Sequence, residues 1–242
     1  MLKNNNSISD VDLRNQYNRI FLESNFTLRD SDSFYKWILK KLRVKSGDNF
    51  LDIAFGLGHL IKHATRKGIH VTGIDFSFEA CTKAKKIVTL SNICCADGHT
   101  LPFCPGIFNN ISIIGSLEHF KDMEKALLEV KRVLNPGGII AIFVPNSYYV
   151  IDIIWKVLRT GYGINHRQPL ERFATINEWA DYLEKNDLEI EKCYKFNFLF
   201  PISREDWHYY SHRIYRIILP IIGLFIPRNL SYSFLYICHV RK

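Results

Sequence analysis

The chain has 242 residues, 47% of them hydrophobic and 23% charged, with a formal net charge of +8. That is ordinary for a globular protein and enough for one α/β domain with a sizeable core, and neither an internal repeat nor a long low-complexity linker interrupts it. From Pro201 onward six basic residues (Arg204, Arg213, Arg216, Arg228, Arg241, Lys242) face two acids (Glu205, Asp206), a balance that suits a solvated basic face, nucleic acid or an anionic membrane surface. Six cysteines (Cys81, Cys94, Cys95, Cys104, Cys193, Cys238) show no CxxC spacing, and are expected to be reduced, mostly buried thiols of a cytosolic protein. Met1 leads into polar residues rather than an apolar run, so no secretory signal is expected.

After a frayed start to about residue 12, apolar residues recur at helical spacing over Val11–Leu22 and Ser31–Val44. Asn49 to Ser77 then reads as strand, glycine turn, helix and second strand. Phe50-Leu51-Asp52-Ile53-Ala54 breaks into Phe55-Gly56-Leu57-Gly58, His59 to Lys67 suits a helix closed by Gly68, and Val71 to Ile74 delivers Asp75, followed by Phe76. A βαβ unit with glycines in its first crossover holds a nucleotide-like ligand at the carboxyl edge of a parallel sheet. A dinucleotide fingerprint needs a small residue three positions after the second glycine, where this chain has Ile61.

Phe78–Lys86 is predicted as a helix and Ile93–Ala96 as a third strand, followed by the turn signal Asp97-Gly98. Phe108 to Ile114 fits a fourth strand whose exit loop runs Gly115-Ser116-Leu117-Glu118-His119-Phe120. Lys121–Leu134 is an amphipathic helix that Asn135-Pro136-Gly137-Gly138 should stop and turn into a fifth strand ending at Val144. Residues 146–173 read as irregular. Thr175 with Glu178 forms a capping box before a helix to Asn186, and Glu189–Phe198 and Ser233–Val240 read as the last strands. Between them Ile217–Ile226 is a ten-residue apolar run, too short to span a bilayer.

This ordered set resembles the class I S-adenosylmethionine (SAM) dependent methyltransferases, whose first motif runs apolar-apolar-Asp-x-Gly-x-Gly-x-Gly. Ala54 stands at the first glycine of that motif, and Asn109 stands where Phe-Asp is usual after Phe108. The resemblance implies one Rossmann-like α/β domain over residues 1–242. Its sheet would be seven-stranded and mostly parallel, ordered 3-2-1-4-5-7-6 with strand 7 antiparallel. A helical cap (1–45), a lid insertion (146–173) and an apolar, basic segment (201–232) would complete it. It also implies SAM as cofactor, held by Asp52, Ala54, Phe55, Gly56 and Gly58, by Asp75 and Phe76 at the ribose, by Asp97 and Gly98 near the adenine, and by Ser116.

His119 is the first candidate general base, with loop shaping as its alternative role, and His166 the second, beside Arg167 as an anion clamp. Tyr17 and Tyr35 are candidates to face the methionine end, or simply pack. The ubiquinone-pathway subgroup carries a metal-binding glutamate four residues before the histidine; this chain has Gly115 there, so no metal is expected. The implied acceptor is a small molecule, with an oxygen of a lipid-like, quinone-like or glycan-linked compound favoured and no nucleic acid expected. Residues 213–228 are a candidate peripheral membrane contact. A non-catalytic SAM-fold interaction module and a nicotinamide oxidoreductase are the competing readings.

Overall fold

The computed structural model describes residues 8–23, 30–88, 92–163, 168–211 and 215–241. Two N-terminal helices come first, α1 (Asp10–Leu22) and α2 (Asp32–Leu42), opened by Ser9 and Ser31, whose side chains accept from the amides of Asp12 and Phe34. The central unit follows as β1 (Asn49–Ile53), α3 (His59–Thr65), β2 (His70–Asp75), α4 (Phe78–Ala84) and β3 (Asn92–Cys95). Then come β4 (Phe108–Ile114), α5 (Met123–Val133) and β5 (Leu134–Pro145). A π-helical turn (Val150–Ile154) runs into α6 (Trp155–Thr160). The chain finishes with α7 (Ile176–Lys185), β6 (Leu188–Phe196), α8 (Arg204–Ser211), α9 (Tyr215–Phe225) and β7 (Ser233–Val240).

The seven strands form one sheet in the order β3-β2-β1-β4-β5-β7-β6. All pairs from β3 to β5 are parallel, while β7 runs antiparallel between β5 and β6. This is the Rossmann-like methyltransferase topology that the sequence predicts. Strands covered on both faces must be apolar throughout, and the burial shows two layers. Leu51, Ile53, Ile111, Ile113 and Ile142 pack toward Leu127, Val130 and Trp179. On the opposite face Phe50, Val71, Ala141, Phe143 and Leu235 meet Ile38, Leu39 and Ile61.

Three local expectations change. Asn135–Gly138 is not a turn between helix and strand: α5 ends at Val133, Leu134 is already extended and pairs with Phe108, and pairing resumes at Asn110 with Ile139. The Pro-Gly-Gly segment is therefore a break in the β4–β5 pairing, four residues of β5 standing opposite Asn109, with Gly137 at φ +80°. Residues 150–160 of the expected irregular lid are helical. Cys94, Cys95 and Cys104 are exposed rather than buried, because β3 is the sheet's edge strand and Cys104 lies in a loop; Cys81 and Cys238 are buried. The apolar run 217–226 forms most of α9, with Pro220 inside it. No described helix is long and apolar enough to cross a membrane.

Candidate active site

The site is built where β1 stops. Ala54 and Phe55 donate their amides to the Ile74 carbonyl at 2.8 and 3.3 Å, which turns the chain away from the sheet. Ala54, Gly56 and Gly58 all sit in the left-handed region, at φ +57°, +58° and +75°. Glycine adopts this region freely, whereas an alanine there carries a Cβ that crowds the backbone. At Gly58 space is also decisive: a Cβ would lie 2.8 Å from Val88 Cγ2. The third small residue of a dinucleotide motif is supplied differently here. A Cβ on Gly73 would lie 2.4 Å from Ile61 Cδ1, so the glycine that lets helix and strand close up is on β2.

The Gly56 amide donates to Asp75 Oδ2 at 2.8 Å, and the Ser77 amide donates to Asp75 Oδ1 at 2.8 Å. Asp75 is buried, and burial pushes its carboxyl up to about 6 despite these donors. Asp52, level with Ser112 in the neighbouring strand, accepts that hydroxyl at 2.5 Å; burial pushes it up to about 7. Phe76 has the Arg14 guanidinium 4.4 Å over its ring.

Asp97 follows β3 and is paired to a residue that the sequence reading passed over. His99 donates its amide to Asp97 Oδ1 at 2.9 Å, and its ring Nδ1 lies 2.6 Å from the same oxygen. The Asp122 amide donates to His99 Nε2, which leaves Nδ1 as the donor to Asp97. Burial pushes Asp97 up, but the hydrogen bonds from His99 outweigh it and hold the carboxyl below its ordinary range. Gly98 is required by packing, since a Cβ there would sit 2.4 Å from Phe120 Cε1.

Ser116, Glu118 and His119 come from the 3-10 turn after β4 (Leu117–His119) and its lead-in. The Arg172 guanidinium holds this loop by donating to the carbonyls of Glu118, Phe120 and Lys121 at 3.1, 2.6 and 3.2 Å. His119 Nδ1 donates to the Leu170 carbonyl, and its Nε2 lies 3.7 Å from Glu118 Oε1. Glu118 is fully enclosed; burial first, then the nearby Glu171, pushes it up to about 8, so it carries its proton at neutral pH. Arg172 and Glu171 also escaped the sequence reading, because nothing in their local pattern announces contacts to residues some fifty positions earlier.

The acids, the turn after β1 and the loop after β4 converge on one cavity of about 810 Å³ at the carboxyl edge of the sheet, within the range of small-ligand sites. It is lined by Asp52, Ala54, Phe55, Gly56, Asp75 and Phe76, and by Asp97, Gly98, Ser116 and His119. Gly58 stands apart: it does not line the cavity and serves the packing of α3 on the segment after α4. Tyr17 and Tyr35 both line it, and Tyr35 also stacks on His59 and His63, with centroids at 5.7 and 5.8 Å. His166 and Arg167 lie outside the described residues. Asn109 is remote from the cavity and accepts the Asn49 amide at 2.9 Å where the strands begin. Among the described residues no group of three His, Cys, Asp or Glu side chains is arranged to hold a metal ion.

An adenosyl cofactor with a charged sulfonium needs acids for its sugar and base, bare backbone donors and polar partners inside an apolar pocket. The cavity supplies the first two in Asp75, Asp97 and the glycine turn. It supplies the third in Tyr17 Oη, Ser116 Oγ and Glu118 Oε2, which are buried on residues lining it and have no hydrogen-bond partner among the described residues. Buried polar atoms are normally satisfied, so three unpaired ones around one cavity mark where a polar ligand belongs.

The sheet order and the antiparallel β7 define the Rossmann-like methyltransferase fold. Over residues 51–142 the chain matches a family described as a methyltransferase domain. It is 31% identical over 119 residues to the ubiquinone/menaquinone biosynthesis C-methyltransferase UbiE of Geotalea daltonii, a match covering 46% of this chain and 51% of the relative. It is 32% identical over 114 residues to the O-methyltransferase rstn1 of Aspergillus nomiae, covering 43% and 49%. The match thus spans about half the length of these curated relatives. A SAM-dependent methyltransferase from Aquifex aeolicus shares the fold, with a TM-score of 0.57 at 14% identity over 97% of this chain and 100% of that one.

Proposed function

We propose that the chain is a SAM-dependent methyltransferase acting on a small-molecule acceptor, with an oxygen nucleophile the favoured target. The observation that carries this reading is the convergence of the Ala54–Gly56 turn, Asp75, Asp97 and the Ser116–His119 loop on one cavity. Asp75 would accept from the ribose hydroxyls and Asp97, kept ionised by His99, from the adenine amino group. The three unpaired polar atoms would meet the methionine end and the acceptor. When bound, SAM supplies a methyl group on a sulfonium, a good leaving group for in-line displacement. The protein's part is then alignment and exclusion of water, which suits a pocket walled by aromatic side chains. His119 is the candidate base for an acceptor that must lose a proton, with its Nδ1 engaged by Leu170 and its Nε2 toward Glu118. Glu118, protonated, offers a donor rather than a charge.

In this reading the cap, lid and C-terminal segments close the cavity only through their described residues that line it. Tyr17 and Phe21 from α1, Ile151 and Ile153 from the π turn, and Leu219 from α9 all line the cavity. The acceptor is then an apolar or amphiphilic compound of the lipid-like, quinone-like or glycan-linked kind. Calorimetry with S-adenosylhomocysteine and with NADH tests the reading: tight binding of the first and none of the second is expected, and the reverse would overturn it. A non-catalytic module would bind the cofactor but yield no S-adenosylhomocysteine with any acceptor of this class.

A further inference from the structure

In a water-soluble domain, large apolar side chains left exposed are normally scattered. Here most of those among the described residues cluster in two segments, 148–162 and 200–232. The helix α6 buries none of its residues: Trp155, Val157 and Leu158 are 61%, 44% and 76% exposed, and Tyr162 just beyond is 77% exposed. Along α9, Ile218, Ile221, Ile222 and Phe225 follow the i, i+3, i+4, i+7 pattern of one helical face. That pattern should point inward, yet they are 53%, 49%, 43% and 82% exposed, with Leu224 at 66%.

The inward face of α9 is a different one, and it is locked. Gly223 packs so closely on Asn197 that a Cβ would lie 2.7 Å from Asn197 Cβ, and Asn197 donates to the Gly223 carbonyl at 2.9 Å. Lys195 caps the helix end by donating to the carbonyls of Gly223, Leu224 and Ile226. The outer face therefore stays apolar by construction.

The charges between these side chains have one dominant sign. Among the described side chains of the two segments, Lys156, Arg159, Arg204 and Arg228 reach the surface against Glu205, while Asp206 is buried and accepts the amides of Ser33 and Ile202 at 3.2 and 2.9 Å. Apolar side chains set among cations match a bilayer interface, where the rings and aliphatic groups enter the acyl boundary and the cations meet phosphates. The same elements contribute to the cavity wall, through Ile151 and Ile153 before α6 and Leu219 on α9.

We propose that α6 and α9 form a docking surface for an anionic membrane, seating the cavity mouth at the lipid interface so that an amphiphilic acceptor enters from the bilayer. The docking stands independently; only the route of the acceptor rests on the methyl-transfer reading.

Co-sedimentation of the full chain with vesicles of phosphatidylcholine alone, and of phosphatidylcholine with phosphatidylglycerol, tests it. Binding to the mixed vesicles that weakens with salt is expected. The double variant Leu158→Gln/Phe225→Gln should bind them roughly tenfold less or weaker, and Lys156→Glu/Arg159→Glu should lose the preference for anionic lipid. Thermal stabilisation by S-adenosylhomocysteine should be unchanged in both, which separates loss of docking from loss of the cofactor site. No vesicle binding, or equal binding by the Gln variant, would overturn the proposal. So would a dimer of the intact chain in sedimentation velocity that the Gln variant converts to monomer without any change in vesicle binding.

Discussion

Gly56 donates its amide to the Asp75 carboxylate at 2.8 Å, so the turn after β1 and the acid after β2 are one unit rather than two neighbouring motifs. The left-handed backbone at Ala54 and Gly56 aims that amide at Asp75, and Asp75 in turn holds the first residue before α4 through the Ser77 amide. Removing either end loosens the other.

Asp75→Ala is therefore expected to weaken S-adenosylhomocysteine binding by about ten- to a hundredfold, the range for losing charge-assisted hydrogen bonds. Calorimetry on folded protein measures it, and unchanged affinity would remove Asp75 from the ligand's contacts. Melting temperature should fall as well, because the Gly56 and Ser77 amides lose their acceptor.

Ala54→Gly tests the strain at φ +57°. Relief of a left-handed alanine contributes about 1–2 kcal/mol, offset by the greater freedom of glycine in the unfolded chain, roughly 0.4–1 kcal/mol. Urea unfolding should show a net gain of about 0.5–1 kcal/mol. A loss would mean that the alanine methyl contributes packing that outweighs its backbone.

The buried carboxyls set the pH dependence of stability. Burial pushes Glu118 up to about 8, Asp52 to about 7 and Asp75 to about 6. In the unfolded chain each ionises near the ordinary value of about 4, so from there to about pH 8 the folded state binds more protons. Stability then falls as pH rises through that window and levels off above it. Glu118→Gln removes the largest share: its unfolding free energy in urea should match the parent's at pH 4 and exceed it at pH 8 by on the order of a few kcal/mol. Identical pH slopes for parent and variant would show that Glu118 ionises normally.

Arg172→Ala leaves the carbonyls of Glu118, Phe120 and Lys121 without the guanidinium they share. A loss of about 2–4 kcal/mol is expected, and Arg172→Lys should recover only part of it, since an ammonium lacks the planar fork. Because the loop carries His119, turnover should drop further than melting temperature suggests. Parallel measurement of kcat and urea midpoint on both variants separates the two effects.

Much of this is legible in the chain itself. Alternation of apolar runs with glycine turns set the order of elements, and the acids closing β2 and β3 placed Asp75 and Asp97 at one sheet edge, because those signals are local and strand polarity follows from βαβ connection. The Thr175–Glu178 capping box formed as read for the same reason. Tertiary structure alone decided the rest. Gly58 and Gly73 exchange duties through the packing of helix on strand, His99 and Arg172 find partners distant in chain or hidden in a loop, and the depth of Glu118 sets its proton. The outward turn of the apolar face of α9 also belongs there, since periodicity says which residues share a face but not whether that face meets a core or the solvent. Contacts between segments far apart in sequence, and the desolvation they produce, exist only once the chain has closed on itself.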